Sequence, residues 1–292
     1  MSSIIFYYFK YSDIKESTEK KGKNNDLFDE KIYLKCELPT DLPLLPDLKL
    51  QPEVITNQTE AYELAIQYFP EFKDCEFLET FSDKEFILRI GNDDNNFEYI
   101  DINSIGTIIY SKNINSKPVE DTIFTENMAL NIAQDFLSKH GGVGDFKYDY
   151  TSSGRKINEK GEPTGIIIDY TFHYIYFYKN IPVCGYGDKM FVTVIPEEEV
   201  NHYFRLKRTI IEEITNETII TASEAYNSLK HNVTVINEMN IINVEICYFS
   251  ISHHTIQEIM QPAWRFEFYE ENSEQDISYL YINARNGNKL TS

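Results

Sequence analysis

The stretch that decides the fold is IIIDYTFHYIYFYKNIPVCGYGDKMFVTVIP, residues 166–196. Side chains alternate in type on both sides of a central connection, and a repeat of two residues is typical of a β-strand. The sequence therefore predicts two long strands joined at residues 179–188, where Pro and Gly interrupt the pattern. We expect a stripe of aromatic residues to fill one face of the first strand and to lie in the core: Tyr170, Phe172, Tyr174, Tyr176 and Tyr178.

Three helices are predicted outside this strand pair, and each is recognised by the residue that caps its start. Asn57 precedes an apolar pattern of helical spacing, and Thr125 stands at the start of a second such pattern that ends at Gly141-Gly142. Thr221 with Glu224 forms a capping box for the third helix.

The first and last helices open similar segments of the chain. TEAYELA at residues 59–65 resembles SEAYNSL at 223–229, and YIDINSIGT at 99–107 resembles YINARNGNK at 281–289. Because the matches occur in the same order, we interpret them as a repeated unit of one helix on a small antiparallel sheet. The predicted fold class is α+β, with two such units flanking a central unit of longer strands.

The predicted organisation has four parts. Residues 1–52 form a charged and Pro-rich N-terminal segment, extended because proline fixes φ and removes a donor. The first repeat unit spans 53–116, the central unit of a helix and long strands 117–212, and the C-terminal unit 213–292.

The repeated unit resembles the PepSY domain. Such domains end in a Trp followed by strands and a turn. Here Trp264, Ala284 and Gly287 match that pattern, with Asn283 at the position of its Asp and Asn286 where Thr is usual. The middle stretch is similar to the propeptides of thermolysin-type proteases and to YycH/YycI regulatory proteins.

In those regulatory proteins a strand leads into x-G-I-P-V-x-G. Ile181, Pro182, Val183 and Gly185 fit this motif, whereas Asn180 replaces its first Gly. The resemblance implies a module that binds or inhibits another protein, such as a protease or a sensor kinase, outside the cytoplasm. We therefore expect a non-catalytic binding or regulatory module with a protein partner.

The charge limits the choice of partner. A formal net charge of −20 repels phosphate backbones and anionic membranes, so nucleic acid is not an expected partner. No run of apolar residues has the length of a transmembrane helix, so membrane association would need a segment outside this chain. The N-terminus has no basic region or cleavage site of a signal peptide. The resemblance implies an extracytoplasmic location, while the sequence is also compatible with a cytoplasmic one.

Sequence motifs of catalysis are missing. The chain has no HExxH, no GxSxG, no GxxxxGK[ST] and no GxGxxG, and its four cysteines form no CxxC pair. His253-His254 with Glu258 has no standard metal spacing. We accordingly predict no catalytic, cofactor-binding or metal-binding residue, and four cysteines that pack as small hydrophobes. Two alternatives stay open: a small-ligand or cell-wall-binding protein with a groove between units, and an enzyme of a type without a known motif.

The sequence also predicts a recognition surface. Its residues are the connection after the first long strand, its neighbouring aromatic residue and the single Trp: Asn180, Ile181, Pro182, Val183, Tyr186 and Trp264. For Trp264 the favoured interpretation is a core anchor, because a single Trp at a strand start usually packs in the interior.

Overall fold

The computed structural model describes residues 31–41, 44–78, 87–92, 98–112, 124–158, 160–161, 163–197, 199–214, 218–233, 237–270 and 277–291. Of these residues, 48% lie in strands and 19% in helices. Residues 1–30 of the predicted N-terminal segment lie outside the described residues.

The α-helices found in these ranges are α1 (Gln58–Tyr68), α2 (Glu126–Lys139) and α3 (Ala222–Asn232), and a short 3₁₀ helix, Pro70–Asp74, follows α1. The strands are β1 (Ile32–Leu34), β2 (Leu48–Leu50), β3 (Glu76–Leu78), β4 (Leu88–Asn92), β5 (Glu98–Ile102), β6 (Ile108–Lys112), β7 (Phe146–Ile157), β8 (Pro163–Tyr178), β9 (Ile181–Gly185), β10 (Lys189–Ile195), β11 (Glu199–Leu206), β12 (Ile210–Glu213), β13 (Met239–Ser250), β14 (Ile259–Met260), β15 (Pro262–Glu270), β16 (Ser278–Asn283) and β17 (Lys289–Leu290).

The predicted helix starts are confirmed. The side chain of Asn57 accepts a hydrogen bond from the Glu60 N–H, and that of Thr125 accepts one from the Met128 N–H. Thr221 and Glu224 form the complete capping box. Each cap satisfies an N–H group that the first turn of a helix leaves without a partner, which explains why short local patterns locate these helices correctly.

Most strands belong to one large mixed sheet. Its order is β17-β16-β15-β13-β9-β8-β10-β11-β6-β5-β4-β3, with β1 paired to β13 and β7 paired to β8. A small second sheet has the order β12-β2-β14. The predicted fold class, α+β with repeated units of one helix on a small antiparallel sheet, is therefore wrong, as is the description of the chain as an α+β repeat protein.

Two strand pairs explain this correction. β6 pairs antiparallel with β11, and β9 pairs parallel with β13, so the sheet runs without a break through regions expected to form separate sheets. An unpaired strand edge exposes a row of N–H and C=O groups, and pairing between the segments satisfies them. The domain boundaries at 52, 116 and 212 stay a prediction.

Alanines let the helices approach the sheet closely. Ala61 and Ala65 of α1, Ala129 and Ala133 of α2, and Ala222 and Ala225 of α3 are fully buried. α1 packs on β4 and β5, α2 on β8, β10 and β11, and α3 on β16 and β17. None of the helices in the described ranges is long and apolar enough to cross a membrane.

The stretch quoted above forms strands as predicted, but its second half forms two strands, β9 and β10, instead of one. After β8 the chain turns at Lys179-Asn180, and β9 leaves β8 to pair with β13 before β10 returns to pair with β8. The aromatic stripe packs in the core: Tyr170, Phe172, Tyr174 and Tyr176 are buried, and Tyr178 packs against them partly exposed.

Candidate functional site

An open groove lies where β9, β13 and the segment after β1 approach one another. Its volume is about 610 Å³, within the range of about 300–1,000 Å³ that is common for binding sites. The residues that line it are Pro39, Asp41, Asn180, Ile181, Pro182, Val244, Glu245, Ile246 and Trp264. Four of the six predicted recognition residues thus lie together in this groove: Asn180, Ile181, Pro182 and Trp264.

A tight turn positions one wall of the groove. Lys179 and Asn180 have φ values of 46° and 69°, which is the left-handed conformation that both central residues of a type I′ hairpin turn require. Asn adopts this conformation more readily than most residues, so it fills a position where the related motif has Gly. The turn leads directly into Ile181 and Pro182, which pair with Tyr178 and Phe177.

Trp264 forms part of the groove floor from inside the core. Its side chain is 1% exposed and packs beneath α3, and its Nε1 donates a hydrogen bond of 2.9 Å to the Ile220 carbonyl. Ile220 lies immediately before the N-cap of α3, so the indole joins β15 to the start of this helix. The core-anchor interpretation of Trp264 is confirmed.

The other two predicted residues lie elsewhere. Val183 is completely buried in the main core cluster. Tyr186 lies in another aromatic cluster, with its ring centroid 6.0 Å from that of Phe249 and 6.3 Å from that of Tyr281. Both residues belong to the packing around the groove rather than to its surface.

The sequence did not indicate the opposite wall. Val244, Glu245 and Ile246 belong to a stretch recognised only as a strand, and Pro39 and Asp41 to a segment recognised only as extended. The alternation of Val244, Glu245 and Ile246 was the available signal. The alternation shows that Val244 and Ile246 face one side of a sheet and Glu245 the other. It does not show which strand end lies beside them.

Two acidic side chains, Asp41 and Glu245, line the groove. Burial raises the pKa of Glu245, while the Arg265 guanidinium, with its Nε 3.3 Å from Glu245 Oε1, opposes that rise. Burial likewise raises the pKa of the nearby Asp149, and Glu267 acts on both carboxylates. Two carboxyl groups, those of Glu245 and Asp149, therefore share one guanidinium here, which leaves an environment that favours a cation.

A buried thiol pair lies on the same face of the sheet as Arg265. Arg265 Nη1 donates to Cys184 Sγ at 3.0 Å, and the Cys247 thiol also hydrogen-bonds to Cys184. These contacts, the Cys247 hydrogen bond first, lower the pKa of Cys184, whereas burial raises that of Cys247. Cys184 and Cys247 are buried, and Cys36 and Cys75 are half-buried.

Several histidines are kept neutral by burial. The pKa values of His173 and His202 fall to about 4 and that of His253 to about 3, mainly because burial penalises the charged imidazolium. The rings of His253 and His254 lie 3.6 Å apart between centroids. Within the described ranges, no three His, Cys, Asp or Glu side chains are grouped so that they could hold a metal ion.

Comparisons with known proteins identify no family. No family model matches the chain, and no curated protein matches it significantly. The chain is similar to an uncharacterized protein from Eubacterium rectale with a crystal structure, at 9% sequence identity and a TM-score of 0.48, over 90% of this chain and 91% of that one. At that TM-score the likeness carries no argument about fold or function.

Proposed function

We propose that this protein is a non-catalytic binding module, and that its groove between β9, β13 and the segment after β1 takes a segment of a protein partner. The observation that carries the proposal is the position of Ile181, Pro182, Val244 and Ile246 around one open groove of about 610 Å³. Apolar walls of this kind stabilise a bound segment by removing its apolar side chains from water.

The charge of the groove favours a basic partner segment. Asp41 and Glu245 line it, no Lys or Arg is among its described lining residues, and the whole chain carries a net charge of −20. Such a field attracts cations, accelerates their association and disfavours acidic competitors. The resemblance to PepSY modules supports a protease or a sensor kinase as the partner and a location outside the cytoplasm.

The proposal is tested by selection from a random heptapeptide library displayed on phage, with the immobilised full chain as the target. We expect enriched peptides to be basic and to bind with measurable affinity by calorimetry. Ile181→Asp should weaken this binding at least about tenfold, because it places a carboxylate in the apolar wall.

Ile211→Asp is the matched control. Ile211 is 53% exposed on β12 and does not line the groove, so the same change there should leave the affinity unaltered. Equal affinities for wild type and Ile181→Asp would overturn the proposal, and so would a selection that enriches no peptide.

A further inference from the structure

Two buried cysteines lie on neighbouring strands, offset by two residues along the sheet. β9 pairs in parallel with β13 in a register that joins Val183 to Tyr248 and Cys184 to Phe249. Cys247 precedes Phe249 by two residues, so its side chain points to the same face of the sheet as that of Cys184. Both cysteines are at most 3% exposed, and both belong to one cluster of buried side chains.

The offset places the two cysteines too far apart for a disulfide bond. Neighbouring strands are about 4.8 Å apart and two residues of a strand span about 6.6 Å, so the Cα atoms of Cys184 and Cys247 are separated by about 8 Å. A disulfide requires about 4.4–6.8 Å between the Cα atoms. A metal ion between the sulfur atoms bridges a longer distance, because two metal–sulfur bonds of about 2.3 Å join them. The register therefore suits a bridging metal ion better than a disulfide.

The surroundings of Cys184 favour the thiolate, which is the form of cysteine that binds metals. Arg265 Nη1 donates to Cys184 Sγ at 3.0 Å, and the Cys247 thiol donates to the same sulfur atom. A guanidinium has no acceptor and stays protonated, so the Cys184 sulfur accepts in this contact. The two donors, the Cys247 thiol first, lower the pKa of Cys184, and a lower pKa increases the population of the thiolate.

The charges at this pair favour a monovalent cation. Two thiolates and one monovalent ion have a net charge of −1, which the guanidinium of Arg265 offsets. With a divalent ion the unit would be neutral, and Arg265 would keep only the partly exposed Glu245 as a counter-ion.

The number of ligands leads to the same choice. A divalent ion such as Zn²⁺ is held by four ligands, and among the described side chains no third His, Cys, Asp or Glu joins the pair. Soft thiolate ligands select Cu(I), and Cu(I) is stable between two sulfur atoms alone.

We propose that Cys184 and Cys247 bind Cu(I) between their sulfur atoms, with Arg265 as the balancing charge. This inference does not depend on the proposed function of the groove. On binding, two copper–sulfur bonds form and the remaining S–H bonds break, with release of their protons to the solvent, and no atom is oxidised or reduced. The net charge of −20 and the carboxylate of Glu245 beside Arg265 favour the approach of a cation.

Competition with the coloured Cu(I) chelator bicinchoninate measures this binding on the full chain, under argon and with ascorbate present. We expect one Cu(I) per chain and an affinity that rises with pH, because binding releases protons. Cys184→Ala and Cys247→Ala should each bind Cu(I) at least about a hundredfold more weakly, and Arg265→Gln at least about tenfold more weakly. Arg265→Lys keeps the positive charge and should recover most of the affinity.

The other two cysteines provide the control. Cys36 follows β1 and Cys75 follows the 3₁₀ helix, and both are half-buried. A double variant with Cys36→Ser and Cys75→Ser should therefore bind Cu(I) as wild type does.

X-ray absorption spectroscopy of the wild-type chain with one Cu(I) decides the question even if the alanine variants do not fold. We expect two sulfur atoms as the only neighbours of the copper. Oxygen or nitrogen neighbours, or a third sulfur atom, would overturn the inference. A chain that does not compete with the chelator would overturn it as well, and so would equal affinities of wild type and a folded Cys184→Ala variant.

Discussion

Arg208 and Asp188 form an ion pair inside the protein, with Arg208 Nη1 2.6 Å from Asp188 Oδ2 and both side chains at most 1% exposed. Arg208 also donates to Ser250 Oγ and to the carbonyls of Ser252 and Thr255. These contacts attach the loop after β13 to the connection between β9 and β10. The pair therefore fixes the end of β9 where Gly185 pairs with Ser250 of β13, at the opposite end of this strand from the groove.

We predict that breaking this pair strongly destabilises the fold. Asp188→Asn leaves the Arg208 charge buried without its counter-ion, and removing one partner of a buried pair typically costs about 3–5 kcal/mol. The free energy of unfolding, measured by urea denaturation, should fall by this amount. Asp135→Asn is the control, because its ion pair with Lys139 is 65% exposed on both sides and should contribute no more than about 0.5 kcal/mol. Equal effects of the two changes would contradict the assignment.

Trp264 should contribute much of the stability beneath α3. Trp264→Ala leaves a cavity and removes the hydrogen bond to Ile220, and truncation of a buried Trp costs about 3–5 kcal/mol. Trp264→Phe keeps most of the packing and should cost less. Thermal unfolding followed by circular dichroism measures both changes, and an unchanged melting temperature in Trp264→Ala would show that the indole is not a core anchor.

The turn before the groove should depend on the conformation of Asn180. Asn180→Val places a β-branched residue at a φ of 69°, which costs about 1–2 kcal/mol. Asn180→Gly should be tolerated, since Gly has no Cβ to clash. If the valine and glycine variants show the same melting temperature, the left-handed turn is not required.

Stability should fall between about pH 6.5 and pH 4. Burial lowers the folded-state pKa of His173 and His202 to about 4 from an ordinary 6.5, so the unfolded chain binds more protons across this interval. Stability is therefore complete above pH 6.5 and decreases as the pH falls. Asp149 and Glu245, whose pKa values burial raises, oppose this trend at the acidic end because the folded state then binds protons.

A histidine variant isolates this contribution. His202→Gln should reduce the loss of unfolding free energy between pH 7 and pH 5, measured by urea denaturation at several pH values. The same change at the exposed His231 is the control and should leave the slope as it is in wild type. A slope that His202→Gln does not alter would show that the buried imidazole makes no contribution.

Charge near the groove should influence the affinity for a basic peptide. Asp41→Asn removes an exposed carboxylate from the groove wall, and we expect binding of the enriched heptapeptide to weaken by about two- to fivefold at low salt. The difference should diminish at high salt, because mobile ions screen exposed charges. Asp135 lies on α2 and does not line the groove, so Asp135→Asn should have no effect on binding, and equal effects of the two variants would contradict local attraction.

Sequence patterns located the local elements well. Asn57, Thr125 and Thr221 cap their helices because a cap depends only on residues within one turn. Alternation identified the strands, and a single Trp at a strand start indicated its own burial. Each of these features is determined by residues that lie close together in the chain, so a single sequence is enough to predict it.

Pairing between distant strands could not be predicted in the same way. β9 pairs with β13 across more than sixty residues, and β6 with β11 across about ninety, and no local pattern specifies either partner. The continuous sheet was missed for this reason. The opposite wall of the groove was missed as well, because Val244 and Ile246 line it only as a result of where the segment after β1 and the start of β9 lie.

The central claim is that a basic peptide segment binds in the groove between β9, β13 and the segment after β1. The most direct measurement is a crystal structure of the full chain with the most strongly enriched heptapeptide. The account predicts the peptide in this groove, in contact with Ile181 and with its basic side chains towards Asp41 and Glu245. A peptide bound at another site, such as the outer edge at β17, with the groove left open, would contradict it.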